Sequence, residues 1–498
     1  MHFRFACLFL MVTAAGGQDL PRSLPESQGV DSAQVLKLVD AFDHRIKSVN
    51  SLMLVRHGRV VAEGWWSPYQ SQDVHILYSI TKSFVSTAVG FAVQEGRLSV
   101  DDRVESFFPD LGPAHPALQL GNMRVRDLLR MSTGHQVDSI GQLRAGGIEW
   151  TRTFLGLDVP FKPGTHFLYD SGGAYMLGAI IQRVTGQTVE AYLEPRLFEP
   201  LAIRQHPWGL SAEGVDLCDG GLSLRTEDLA KFGQLYLQRG RWDGKQLLSA
   251  AWVDAATSLQ TSNGSDPAGN WDQGYGYLFW MNKGPGYRAD GSLGQFCFVM
   301  PKADAVLAVT SGTSDLAGLM DLVWQYLPLA LHDAALPENV AGDSRLQTRL
   351  RSLVIPGPAG EAHSGQAAAY AGKEYALQPN PLGLQTVALD ATPSGPQIRI
   401  RDAGGEHVLR CGAGRWERGH TDFLPRISDL WSQKQSKIAA WGAWAGDTTF
   451  VADVCFDETP YSFTFRLHWA EGRLALTVDC PIRWEPNLRH LEIDSRGQ

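Results

Sequence analysis

The chain has 498 residues, 44% of them hydrophobic and 19% charged, which is the balance of a folded globular protein and too long for one ordinary core. Its net charge of −9 comes without any basic run, which argues against nucleic acid and points to a small-molecule partner. Nothing in these numbers sets the oligomeric state.

At the N-terminus, Met1-His2-Phe3-Arg4 is followed by an apolar run from Phe5 to Ala15 and then by Gly16-Gly17. One positive charge, a short apolar core and small residues predict a secretory signal over residues 1–17, hence export to a periplasm or the medium. The run is too short to span a bilayer and no other stretch approaches that length, so no integral membrane segment is expected. Cys7 would leave with the signal. Cys218, Cys297, Cys411, Cys455 and Cys480 remain, an odd and sparse set with no Cys-x-x-Cys or His-rich spacing. That excludes a disulfide scaffold, suggests no metal, and leaves room for one disulfide among the last three.

Further along, Leu36 to Ile46 has helical spacing, and Ser51 to Gly64 reads as a hairpin about His57-Gly58. Next comes Leu77-Tyr78-Ser79-Ile80-Thr81-Lys82, opening an apolar helix that runs to about Gly96. Ser79 and Lys82 fall on one helix face, about one turn apart. A serine hydroxyl attacks poorly until a base takes its proton, and a lysine can do so only when neutral. Because its usual pKa is about 10.4, burial or nearby positive charge would have to depress it. Among all the serines, only Ser79 has this spacing to a lysine.

Val125 to Met131 reads as a helix ending in Ser132-Thr133-Gly134-His135, where His135 is a candidate to touch a substrate. Tyr169 and Ser171 lie on the loop Pro163 to Gly173, ahead of a helix from Ala174 to Thr185. A tyrosine there could relay a proton, because its hydroxyl both donates and accepts. Thr226 is an expected N-cap for a helix to Leu237, and Leu248 to Ala256 is another helix. A strand is expected from Tyr275 to Trp280. Asp290 to Gln295 leads into a buried hairpin, Phe296–Met300 and Ala305–Thr310, and a closing helix follows from Leu316 to Leu331. Strands at both ends with helices between them predict an α+β (α/β) fold, an antiparallel sheet with helices packed on it.

Residues 336–369, rich in Ala, Pro and Gly, read as a linker with one helical turn around Arg345 to Leu353. From residue 370 to 498, short alternating runs separated by turns predict a small all-β domain, barrel or sandwich. Its tryptophans, among them Trp431, Trp444, Trp469 and Trp484, are expected in its core rather than along a carbohydrate or lipid groove.

Ser79-x-x-Lys82, Tyr169-Asp170-Ser171 and the glycine-led strand at Gly291 to Gln295 occur in the order, and at roughly the separations, of the serine β-lactamase and penicillin-binding-protein superfamily. The chain resembles its β-lactamase-related serine hydrolase branch, which includes class C β-lactamases, carboxylesterases and 6-aminohexanoate-dimer hydrolases. That resemblance implies a serine β-lactamase-like domain over 18–335, with a helical subdomain. It also implies Ser79 as acylated nucleophile, Lys82 as its proton partner, Tyr169 as general base or shuttle, and no cofactor. Backbone N–H groups of Ser79 and of the strand near Gly294 or Gln295 would hold the oxyanion. Two positions depart from the pattern. Ser171 stands where asparagine is usual, and Ala289-Asp290-Gly291 lacks the cation that usually precedes Thr-Gly, unless Arg288 substitutes. The expected function is therefore an exported serine hydrolase of a small ester or amide. A β-lactamase or D-alanyl-D-alanine peptidase is the alternative, and an idle scaffold of the same fold a further one. Gly-x-Ser-x-Gly is absent from the chain, so the α/β-hydrolase elbow is no rival.

Overall fold

A computed structural model describes residues 19–113, 117–264, 266–423 and 435–496. The segment expected to be a signal, with Cys7, lies outside the described residues, as does Trp431.

The first two strands, β1 (Val49–Arg56) and β2 (Arg59–Trp65), form the expected hairpin, preceded by helix α1 (Ser32–Arg45). A two-residue strand β3 (His75–Ile76) leads into α2 (Thr81–Gln94). The helical subdomain follows as α3 (Val125–Leu129), α4 (Ile140–Ala145), α5 (Trp150–Leu155), α6 (Ser171–Thr185) and α7 (Val189–Leu193). The chain then returns through β4 (Ser223–Leu224), α8 (Thr226–Leu237), a small hairpin of β5 (Arg241–Trp242) and β6 (Lys245–Gln246), and α9 (Ala250–Ala256). Four strands complete the main sheet: β7 (Trp280–Met281), β8 (Tyr287–Gly291), β9 (Gln295–Met300) and β10 (Ala305–Ser311). Two helices close this part, α10 (Leu316–Ala330) and α11 (Val340–Arg351).

The sheet is antiparallel throughout, in the order β2-β1-β10-β9-β8-β7. Alternation along the strands sorts side chains to two cores. Leu52, Leu54, Phe296 and Phe298 face the layer of α1, α10 and α11, whereas Met53, Val55, Cys297 and Val299 face α2, α8 and the helical subdomain. Each fully buried Leu or Phe there contributes roughly 1.5–3 kcal/mol.

Three local expectations change. The segment read as a linker carries α11, three turns rather than one. Leu346, Leu350 and Leu353 bury against the α1 side of the sheet, and Arg349 pairs with Asp40 (2.8 Å) and with Asp43. Between Tyr275 and Trp280 the chain folds back, with Gly276 N–H donating to the Phe279 carbonyl (2.8 Å), so that only Trp280 and Met281 pair as strand. Thr226 begins α8 instead of capping it, its hydroxyl lying 2.6 Å from that of Ser51.

After a short helix α12 (Ala367–Tyr370), the C-terminal part is all-β. One sheet holds β11 (Glu374–Ala376), β12 (Thr386–Thr392), β13 (Gly395–Asp402) and β14 (Gly405–Arg410). The other holds β15 (Gly412–Ala413), β16 (Glu417–Thr421), β17 (Ser436–Trp444), β18 (Thr449–Phe456), β19 (Ser462–Ala470), β20 (Arg473–Asp479) and β21 (His490–Asp494). The two sheets enclose one core, in which Val387, Ile398 and Leu409 meet Phe450, Phe463 and Leu476. Trp444 and Trp469 are buried and stacked on Tyr370, while Trp484 is exposed. Cys218, Cys297, Cys411, Cys455 and Cys480 are buried free thiols, so the last three form no disulfide. No described helix is long and apolar enough to cross a membrane.

Candidate active site

Ser79 sits in a tight 3-10 turn, Tyr78–Ile80, that runs directly into α2. Two strands hold this turn from behind. β3 pairs with β4, Leu77 N–H donates to the Leu222 carbonyl (2.9 Å), and Leu222 N–H donates to Thr81 Oγ1 (3.2 Å). Tyr78 takes a φ of +48°, the left-handed region that a bulky residue occupies only under constraint.

Lys82 lies in the first turn of α2 and is 1% exposed. Its Nζ is 2.9 Å from Ser79 Oγ and 2.6 Å from the Asp219 carbonyl. Both partners are uncharged acceptors, and the short contact to Oγ lets one proton pass between the two side chains. Ser79 itself remains partly exposed. The sequence spacing therefore produces the expected pair, and the loop bearing Asp219 supplies a third contact that no motif signalled.

Tyr169 is held beside this pair. Its ring centroid is 5.0 Å from Lys82 Nζ, it stacks on Trp280 (5.5 Å, 20°), and it meets Tyr275 edge-on (6.3 Å, 89°). The next residue, Asp170, anchors the loop. Completely buried, it N-caps α6 and accepts at one oxygen from Ser139 N–H (3.0 Å) and Ser139 Oγ (2.6 Å), and at the other from Thr133 Oγ1 (2.9 Å) and His135 Nδ1 (2.8 Å). Burial alone would raise this carboxyl, but the hydrogen bonds from His135 and Ser139 outweigh it and hold it below the usual carboxylate range. His135 is consequently a buried partner of Asp170, and its ring packs edge-on against Phe154. Ser171 opens α6, almost buried, its backbone N–H on Asp138 (2.8 Å).

The third box is organised differently from the sequence-based expectation. Arg288 cannot serve as a cation for substrate. It is fully buried and donates to Asp290 (3.0 Å) and to the carbonyls of Met281 (3.1 Å) and Asn270 (2.9 Å). Strand alternation explains this, since positions 288 and 290 share a face of β8. Burial lowers the Arg288 guanidinium from its ordinary value and raises the Asp290 carboxyl, each opposed by the other's charge.

Gly291, at the end of β8, makes the close approach to the nucleophile turn. A Cβ there would lie 2.3 Å from the Leu77 carbonyl. Gly294 (φ +85°) packs instead against Ser311, and the Gln295 side chain clamps the turn by donating to the carbonyls of Ser292 (3.2 Å), Leu293 (3.2 Å) and Ser311 (2.7 Å). One cation near the pair was not anticipated: Arg144 of α4 donates to Asp219 (2.9 Å), the residue whose carbonyl holds Lys82.

The beta-lactamase family model matches residues 35–332. The chain is 25% identical over 298 residues to the 6-aminohexanoate-dimer hydrolase of Paenarthrobacter ureafaciens, covering 53% of this chain and 73% of that protein. It is 23% identical over 222 residues to an Escherichia coli (strain K12) protein described as a D-alanyl-D-alanine carboxypeptidase, covering 39% of this chain and 51% of the relative. Among solved structures, a protein described as a 6-aminohexanoate-dimer hydrolase from Bacillus anthracis shares the fold, with a TM-score of 0.53, 19% identity, and coverage of 65% of this chain and 90% of that one. The family match takes in more than half of the chain and the whole stretch that carries Ser79, Lys82 and Tyr169, and the chain belongs to the beta-lactamase family of serine hydrolases.

Proposed function

We propose that the chain is an exported serine hydrolase that opens a small, uncharged ester or amide through an acyl-enzyme on Ser79. The observation that carries this reading is the buried Lys82 Nζ at 2.9 Å from Ser79 Oγ, within a family of serine hydrolases. Acting as general base, Lys82 takes the Ser79 proton while Oγ bonds to the substrate carbonyl carbon, and the carbonyl electron pair moves onto oxygen. Backbone N–H groups of Ser79 and of the turn running from Gly291 to Gln295 receive that charge. Collapse of the tetrahedral species breaks the bond to the leaving group, which departs with a proton passed on by Tyr169 and Lys82. Water then repeats the sequence on the acyl-enzyme and frees Ser79.

Two features favour an uncharged substrate. The third box has no cation, and the nearby Arg288 is committed to Asp290 and backbone carbonyls, so a substrate carboxylate has no bidentate partner there. Trp280 and Tyr275 give the Tyr169 side of the site an aromatic wall suited to an apolar group. The apolar run from Phe5 to Ala15 behind Arg4 supports export, and N-terminal sequencing of the secreted protein should begin near Gln18.

Intact mass after incubation with a fluorophosphonate and, separately, with benzylpenicillin tests the assignment, each beside Ser79→Ala. A Ser79-dependent phosphonyl adduct without a stable penicilloyl adduct is the expected result. Stable penicillin acylation would replace the ester or amide reading with a penicillin-recognising one. No label on the wild type would leave only a scaffold role.

A further inference from the structure

The two turns that shape the proposed site are both braced from outside the hydrolase fold. Tyr78, immediately before Ser79, and Leu293, in the turn between β8 and β9, have φ of +48° and +61°. Both are buried, at 3% and 6% exposure, and both side chains belong to the core of the C-terminal β-domain, among Tyr461, Phe456 and Phe463. A left-handed non-glycine residue persists only where its surroundings over-determine it. Here the backbone is held from within the hydrolase fold, and the apolar packing around both side chains is supplied by a domain that the family match does not include.

One loop of that domain makes the contact. It connects β18 to β19 over residues 457–461. Ile76 N–H donates to the Glu458 carbonyl (3.0 Å) and Tyr69 OH to the Thr459 carbonyl (3.1 Å). The Pro460 carbonyl fills the space beside Gly312, where a Cβ would meet it at 2.3 Å. The Tyr461 hydroxyl lies beside that of Tyr78. Lys437, on neighbouring β17, ties the seam by pairing with Asp73 (2.9 Å) on one side and Glu458 (3.1 Å) on the other.

We infer that the C-terminal β-domain is a working part of the catalytic centre, with Tyr461 as a positioning residue that holds the Tyr78 turn, and through it Ser79, in attacking geometry. This rests on the reading of Ser79 as nucleophile. It gives the all-β domain a duty that does not require it to bind anything. Misplacing a nucleophile by about 1 Å can cost on the order of a hundredfold in rate, so a packing change outside the chemistry should appear in the acylation step.

The test is the pre-steady-state rate of acylation of the full chain by p-nitrophenyl acetate, with a thermal melt of each variant. Tyr461→Ala is expected to slow acylation by about tenfold or more with little change in KM. Tyr461→Phe keeps the ring and is expected to restore the rate. Leu467→Ala is the control, fully buried in the same core but six residues along β19, about 20 Å away. It is expected to lower the melting temperature while the folded enzyme acylates at the wild-type rate. If Tyr461→Ala does not fold, Tyr461→Leu takes its place with the same expected order. Acylation of the Tyr461 variants at the wild-type rate, or equal slowing by Leu467→Ala, would overturn the inference while leaving Ser79 as nucleophile. Acetylation of Ser79→Ala as fast as wild type would instead overturn the nucleophile assignment on which it stands.

Discussion

Two of the buried carboxyl groups around the proposed site, Asp170 and Asp457, are handled in opposite ways. Asp170, under the Tyr169 loop, receives hydrogen bonds from Ser139, Thr133 and His135, which hold it below the usual carboxylate range despite burial. Asp457, in the seam between the nucleophile turn and the β-domain, is 3% exposed, and its Oδ1 has no hydrogen-bond partner among the described residues. Burial and the neighbouring Asp73 and Glu458 push its carboxyl up to about 7, against the pull of Arg418 and Lys437. The Tyr169 side is thus fixed by a polar network that satisfies both oxygens of its carboxylate, whereas the Ser79 side is fixed by backbone pairing and apolar packing, with an acid beside it that has one unpartnered oxygen. A polar network fails abruptly when one atom is removed. Packing tolerates any side chain of similar shape, and its acid is a liability that rises with pH.

The sharpest way to break this contrast is Asp170→Ala, which leaves the buried donors of Thr133, His135 and Ser139 without an acceptor. A loss of roughly 3–5 kcal/mol is expected, read as a large drop in denaturant midpoint together with loss of labelling by the fluorophosphonate. Asp457 should behave with the opposite sign. Since its folded-state carboxyl lies above the 3.8 of the free side chain, its contribution to stability is complete below that pH and is lost as pH rises through about 7. Asp457→Asn is therefore expected to leave stability nearly unchanged at about pH 4 and to raise it at about pH 8, by at most roughly 4 kcal/mol. Melts across that range check it, and a mutant curve parallel to wild type would contradict it. Asp170 runs the other way, its stabilisation being present above the ordinary carboxyl pKa and lost only as acid protonates it. The smallest effect belongs to Arg144→Ala. Its pair with Asp219 is partly exposed, and the backbone carbonyl rather than the carboxylate holds Lys82. A stability change within about 1 kcal/mol and nearly unchanged turnover of an uncharged ester are expected.

How far the sequence reaches is visible in the same residues. The Ser79–Lys82 pair was legible because both residues sit within one helical turn, where spacing alone fixes proximity. The first hairpin, the helices at Ser79, Val125, Ala174, Thr226, Leu248 and Leu316 and the hairpin over 296–310 were legible from periodicity, and so was the all-β character beyond residue 370, whereas the short helices α4, α5 and α7 and the two-residue strands were not. What spacing cannot report is which way a side chain faces once elements pack. Arg288 looked available as a cation, although its i, i+2 relation to Asp290 on a strand was a signal that the two would share a face. His135 reads as a candidate to touch a substrate because nothing local marks a buried carboxylate thirty-five residues later as its partner. Helix α11 was hidden by its composition: Leu346 and Leu350 are its only leucines, and both are spent on the sheet. The meeting of Tyr78 with Tyr461 spans most of the chain and leaves no local trace.

The most direct test of the account is peptide mapping of the protein quenched during turnover of p-nitrophenyl acetate, for wild type, Ser79→Ala and Lys82→Ala. The acetyl group is predicted on the peptide containing Ser79 in the wild type, to be absent in Ser79→Ala, and to form at least about a thousandfold more slowly in Lys82→Ala. An acetyl group on another residue at the wild-type rate, or undiminished acetylation of Lys82→Ala, would contradict it.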